Sequence, residues 1–223
     1  EGFSLVCRQT QTGKRLGLVG AVDLEKYDYE AGAKSLIRPT EGTILSRIPP
    51  RVKIRRGAPL ETTHVMLLVD DPGRTLIEPL YEARGQLEPL YDFDLMQGGG
   101  RIQGWAVEGD ARFAQIGRAL EGLYGRCGGL LYAVGDGNHS LATARACWLE
   151  IKKTLSPAAQ ASHPARWALV EIGNLHDDSL IFEPIHRAVF GADDAAITHD
   201  FVLWCRAEGI GVVACGEEAA QLY

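Results

Sequence analysis

The run Leu130-Leu131-Tyr132-Ala133-Val134-Gly135-Asp136-Gly137-Asn138-His139-Ser140-Leu141-Ala142-Thr143-Ala144 constrains this fold more than any other stretch. Its apolar opening reads as a buried strand over Gly129 to Val134, its two glycines as a tight turn, and its continuation as a helix over Ser140 to Thr154. A strand apolar along its whole length needs neighbours on both edges and cover on its faces. The chain must therefore supply a sheet and helices to pack on it.

The remaining sequence does so. Phe3 to Gln9 and Arg15 to Leu24 read as a hairpin around Gln11-Thr12-Gly13-Lys14, and a polar loop through Tyr27-Asp28-Tyr29 follows. The arginine-rich stretch Thr43 to Gly57 holds a helix that Pro49-Pro50 opens at Arg51. Thr63 to Asp70 is strand-like, Leu76 to Arg84 reads as a short helix, and Leu90 to Met96 with Arg101 to Val107 forms a second hairpin with one wet face. Phe113, Ile116, Leu120 and Leu123 recur at spacings of three and four, the stripe of an amphipathic helix starting near Asp110. Ser156 to Pro164 reads as a small-residue linker. Strands over Trp167 to Ile172, Leu180 to Ile185 and Ile210 to Cys215 and a helix over Ala196 to Glu208 complete the pattern. The expected class is α+β, a mixed α/β chain whose mixed sheet is flanked by helices. It forms one domain over 1–223, with 1–109 and 110–223 as candidate sub-lobes. Because it begins with Glu1 rather than Met, it reads as a fragment of a longer chain.

Composition narrows the partners. At 223 residues and 46% hydrophobic content the chain can bury a core, and 23 basic against 29 acidic residues, net charge -6, give no footprint for nucleic acid. Cys7, Cys127, Cys147, Cys205 and Cys215 are odd in number and far apart, which suits a reducing cytoplasm better than a disulfide framework. No apolar run reaches the roughly 20 residues that span a bilayer. His64, His139, His163, His176, His186 and His199 lack metal-ligand spacing, so neither a zinc site nor a haem is expected. Walker, nucleophile-elbow and Rossmann fingerprints are absent too.

Three segments carry candidate chemistry. At the turn, Gly135, Gly137, Asn138 and Ser140 stand where free N–H groups and a helix dipole attract an anion such as phosphate. Asp136 can hold Mg2+ or a substrate hydroxyl there, and His139 can donate to a phosphoryl oxygen or move a proton. The alternative is that Asp136 and Asn138 only cap the helix. In Arg38-Pro39-Thr40-Glu41-Gly42-Thr43, joined to Arg47, Arg51, Arg55 and Arg56, guanidinium groups can clamp a phosphate while Glu41 acts as a general base. The alternative is ordinary surface charge on an exposed helix. In Glu183-Pro184-Ile185-His186-Arg187, His186 and Arg187 follow a strand and can converge on the same cleft, or form a surface pair.

Taken together and in order, Arg38 to Thr43, Asp136 to Ser140 and Pro184 to Arg187 resemble the bacterial and archaeal family called domain of unknown function 1015. Its pattern carries an Arg-x-His-Glu-x-Thr-like element, an Asp-Gly-His-His-Arg-like element opening a helix, and a Pro-Thr-His-Arg element. Thr40, Asn138 and Ser140 depart from it, standing where it has His, His and Arg. The family in turn resembles the ParB/sulfiredoxin-type fold, whose free-serine kinases bind nucleotide phosphates at a glycine turn and helix start. The resemblance implies a phosphotransferase-like site with Glu41 in the place of the acidic base, and ATP or ADP with Mg2+ as cofactor.

The leading expectation is a small-molecule phosphotransferase or other nucleotide-binding enzyme. In it Glu41 is the base, Asp136 assists Mg2+, and Arg38, Thr43, Arg51, His186 and Arg187 help to bind the ligand. The rival is a non-catalytic module of ParB-like type that binds a nucleotide, a metabolite or a protein. A sulfiredoxin-like redox role lacks its nucleophile, because position 138 is Asn.

Overall fold

The computed structural model describes residues 2–62, 64–181 and 190–212. By its contacts the chain divides into two units, 1–181 and 182–223.

The first unit is a mixed α/β structure built on one eight-stranded sheet. The opening hairpin is β1 (Phe3–Thr10) and β2 (Gly13–Asp23). After a 3-10 turn at Leu24–Lys26 comes the short β3 (Ile37–Pro39), then α1 (Ile48–Arg55) and β4 (Met66–Val69). The short helix α2 (Glu78–Glu82) leads into the second hairpin, β5 (Glu88–Asp94) and β6 (Arg101–Val107). Then follow α3 (Asp110–Tyr124), β7 (Tyr132–Asp136), α4 (Asn138–Lys152), α5 (Pro157–Ser162) and β8 (Trp167–Asn174). The strand order is β3-β7-β4-β8-β2-β1-β6-β5, so the sheet takes strands from both sides of residue 109. Two pairs are parallel, β3 with β7 and β4 with β8, and the other neighbours run antiparallel.

Burial follows the sequence pattern. Alternate residues of β8, Ala168, Val170 and Ile172, are buried, as are Ile116 and Leu123 on α3 and Leu141, Ala144 and Trp148 on α4. These meet Leu5, Leu18, Leu67, Val69 and Val134 in one core. At the far edge β5 is mostly exposed and carries Glu88, Asp92 and Asp94, charges that discourage pairing with another strand.

Several local expectations are corrected. The helix expected from Arg51 starts at Ile48, because a helix's first turn tolerates the missing N–H of Pro49 and Pro50. The linker at Ser156 to Pro164 contains α5, which the Ser156 side chain caps by accepting the Ala159 N–H and which Pro157 starts. The stretch after the Tyr27 to Tyr29 loop, for which the sequence pattern predicts no element, contains β3; β7 runs on through Gly135 and Asp136, and α4 begins at Asn138 rather than Ser140, so only Gly137 separates strand from helix. Leu180 and Ile181 are not strand, nor are Ile210 to Val212; Phe182 to Ile185 and Val213 to Cys215 lie outside the described residues.

In the second unit, α6 (Asp194–Ala207) is capped by Asp193, whose carboxylate accepts the N–H groups of Ala195 and Ala196.

Candidate functional site

Strand directions decide what meets the glycine turn. Because β3 runs parallel to β7 with Pro39 opposite Val134, the residues that follow each strand emerge at the same end of the sheet. Glu41 lies two residues past Pro39, and Asp136 two past Val134. The antiparallel β4 enters at that end, with Met66 opposite Asp136, and so brings His64 there. Residues distant in sequence therefore surround a cavity of about 390 Å3, lined by Glu41, Arg51, His64 and the turn Gly135 to Ser140.

The turn is built for close approach. Gly137 has φ +86°, and a Cβ on it would lie 3.0 Å from Val65 Cα and 3.2 Å from the His64 carbonyl oxygen. Only glycine accepts both the left-handed backbone and that passing chain. Gly137 is also the N-cap residue of α4, and no side chain caps the helix. The N–H groups of Asn138, His139 and Ser140 precede the first helical bond, from Leu141 N–H to the Gly137 carbonyl at 2.9 Å. Asp136 Oδ1 accepts the Gly137 N–H at 2.7 Å, one residue on, and does not reach into the helix. The helix-cap explanation of Asp136 and Asn138 therefore gives way: neither side chain satisfies the first turn.

Asn138 is 5% exposed, and its Oδ1 is buried with no hydrogen-bond partner. A buried amide oxygen left unpaired costs about 1–3 kcal/mol. Asn138 itself borders the polar cavity, and seven other buried side-chain atoms among the described residues are unpaired as well.

His139 fastens the loop that carries Glu41. Its Nε2 accepts the Ile44 N–H at 3.0 Å, which places the ring proton on Nδ1 and commits the Nε2 lone pair. Thr40 Oγ1 donates to the Val134 carbonyl at 2.8 Å on the other side of Glu41. The loop is thus pinned at both flanks while the Glu41 carboxylate stays exposed. Beneath, Tyr27 is fully buried and its hydroxyl donates to the Asn138 carbonyl at 3.5 Å; burial pushes its phenol pKa well above the ordinary value.

The arginine cluster separates into roles. Arg55 grips Glu61 with two bonds of 2.7 and 2.8 Å, and Arg56 pairs with Glu150 of α4 at 2.7 Å. Arg47 is exposed and its carbonyl accepts from Arg51 Nη1 at 3.0 Å. Arg51 alone of the four borders the cavity, and among the described residues no carboxylate forms an ion pair with it. Arg38 points elsewhere: its Nη1 donates to the Ala33 carbonyl at 3.1 Å, and it does not line the cavity. Nor does Thr43, whose Oγ1 is buried without a partner. His186 and Arg187 lie outside the described residues.

His64 is the lining residue that sequence reasoning missed. It precedes an apolar strand, which is a signal only when that strand's direction relative to β7 is known. Its Nδ1 lies 2.9 Å from the Thr62 carbonyl.

Asp136 and Glu41 are the carboxylates that line the cavity. Among the described residues no group of three or more His, Cys, Asp or Glu side chains is placed to hold a metal by itself. Among those residues, too, no helix is long and apolar enough to cross a membrane. No curated protein and no solved structure matches the chain. The model of the family described as protein of unknown function (DUF1015) matches residues 1–206, and the chain belongs to that family.

Proposed function

We propose that this protein is a small-molecule phosphotransferase that uses ATP or ADP with Mg2+. The observation that carries the reading is an uncapped helix start sharing one cavity with Glu41 and Arg51. The N–H groups of Asn138, His139 and Ser140 receive phosphate oxygens, and the Arg51 guanidinium balances charge that develops on them. Glu41 takes the proton of an acceptor hydroxyl as that oxygen bonds to phosphorus and the bond to the nucleotide's leaving oxygen breaks. His139, its Nε2 engaged by Ile44, positions the Glu41 loop rather than exchanging protons through that nitrogen.

The donor set suits Mg2+, which usually takes one or two carboxylates and completes its shell with water and substrate phosphate. Asp136 would hold it, and when bound it neutralises phosphate charge. The likeness to ParB/sulfiredoxin-type free-serine kinases supports the same reading by analogy. Asn138 and Ser140, where the family pattern has His and Arg, favour the second reading, a module that binds nucleotide without turnover.

Isothermal titration with ATP, ADP and CTP, each with Mg2+, and 31P NMR with a panel of hydroxyl acceptors test the proposal. Glu41→Gln is expected to lower turnover by about 100-fold or more while nucleotide affinity changes little. Binding with no turnover of any acceptor selects the module, and absence of nucleotide binding refutes both readings.

A further inference from the structure

A second, larger cavity of about 630 Å3 adjoins the first, and the two share Arg51, His64 and Ser140 as lining. One wall is a face of α4: Ser140, Thr143, Cys147 and Ile151 follow at spacings of three, four and four, which stacks them along the helix. At 1.5 Å rise per residue this face extends about 16 Å from the helix start. The lining is completed by α1, the segment 57–62, and Pro164, Ala165 and Trp167. Glu41 borders only the smaller cavity.

Chemical character changes along this path. The turn end is polar, whereas the larger cavity is lined by Arg55, Arg56, Glu61 and Glu150 together with aliphatic side chains. Two of them, Ile54 and Leu60, are 79% and 77% exposed, and Trp167 is 40% exposed. Large apolar groups held in water around a concavity mark a surface that gains by being covered. The volume lies within the roughly 300–1,000 Å3 of small-molecule sites. A ligand that fits both cavities is anionic at one end and broad at the other, with an apolar face and polar groups able to meet charged side chains.

We infer that the cleft between α1 and α4 holds the nucleoside part of a nucleoside di- or triphosphate, with its phosphates passing Arg51, His64 and Ser140 toward Glu41. The inference rests on the phosphate-binding reading of the turn and adds where the base and sugar lie. The acceptor then enters from the Glu41 side, opposite the nucleoside, so donor and acceptor meet at the turn. The cleft rather than the turn discriminates a nucleotide from a bare polyphosphate.

Cys147, half-buried in the cleft wall, reports occupancy. Its alkylation by N-ethylmaleimide is followed by peptide mass spectrometry, which separates it from the other cysteines, with ATP and Mg2+ or with inorganic tripolyphosphate and Mg2+. ATP is expected to slow alkylation at least tenfold and tripolyphosphate to change it less than twofold. Ile54→Asp, at an exposed rim position that leaves the core intact, is expected to weaken ATP at least fivefold and tripolyphosphate less than twofold. If both compounds bind equally well and ATP leaves Cys147 as reactive as in the free protein, the nucleoside lies elsewhere and the inference falls while the phosphate site stands. If neither compound binds, the phosphate site itself falls, and the inference with it.

Discussion

Replacing Gly137 by alanine separates two costs that the turn combines. The first is the left-handed backbone at φ +86°, which costs a residue with a Cβ about 1–2 kcal/mol. The second is contact: the new Cβ would sit 3.0 Å from Val65 Cα and 3.0 Å from Val65 Cγ2, with the His64 carbonyl oxygen at 3.2 Å. Two of these neighbours are backbone, at the entry to β4, and cannot rotate away. Overpacking of this kind adds about 1–3 kcal/mol. Gly129 isolates the first cost, since its φ is +89° and nothing lies within 4 Å of the Cβ position. Gly129→Ala is therefore expected to lose about 1–2 kcal/mol and Gly137→Ala about 2–5 kcal/mol. In urea unfolding followed by tryptophan fluorescence, at a slope of about 2 kcal/mol/M, the two midpoints should differ by about 1 M. Equal midpoints would mean that β4 does not pass against the turn as described, and the account of how His64 reaches the cavity would go with it.

Two further outcomes follow from the ion pairs and the loop anchor. Burial alone would raise the Asp23 carboxyl, but the two-pronged contact with Arg166 and the Glu25 N–H overcome this and hold it below the usual carboxylate range. Glu25 is lowered by Lys152, against a smaller effect of burial, and by the Trp148 indole N–H. Carboxyls depressed in the folded state add stability that is fully present above their unfolded pKa, about 4, and is lost as pH falls through the folded values. Asp23→Asn should therefore destabilise by about 1–2 kcal/mol at neutral pH and approach the parent's stability in strong acid; a constant difference across the titration would remove Asp23 as the cause. His139→Ala deletes the acceptor of the Ile44 N–H, worth about 1 kcal/mol, so exchange at that amide should accelerate about fivefold while amides in β8 keep their rates. Unchanged exchange at Ile44 would show that the Glu41 loop is held without His139.

Elements with local signals were legible in the chain, and those set by distant partners were not. The β1–β2 hairpin declares itself by two alternating runs around a turn, and α3 by the stripe Phe113, Ile116, Leu120 and Leu123. With three residues β3 has no periodicity to read, and its proline argues against a strand; as the edge of the sheet it tolerates the missing donor. For α5 the cap and first-turn proline at Ser156-Pro157 were present, but the alanines that follow give no apolar stripe. The site divides the same way. Glu41, Arg51 and the glycine turn could be nominated from residue chemistry. Residue spacing does not say that Arg55 and Arg56 are committed while Arg51 is left at the cavity: the Arg56–Glu150 pair depends on how α1 packs on α4, and the Arg55–Glu61 pair on how the segment after α1 turns back. His64 depends on strand direction alone.

The departure at Ser140 takes on a geometric meaning from its position. Ser140 lines both cavities, at the passage between the helix start and the α1–α4 cleft. A long guanidinium side chain there would stand in that passage and bring to the turn a fixed two-pronged anion contact. Serine leaves the passage open and the helix-start N–H groups accessible, and Arg51 supplies the positive charge from a different element. The place of Arg51 at the cavity then depends on α1 holding its position against α4, for which the Arg56–Glu150 pair is only an exposed and weakly stabilising tie. The stronger constraint is Val52 and Ile48 of α1, both buried in the core that Leu141, Ala144 and Trp148 of α4 also enter. Loosening that apolar contact, at positions that touch neither cavity, should shift Arg51 away from the turn before it disturbs Glu41, whose loop is tied separately through Thr40 and His139.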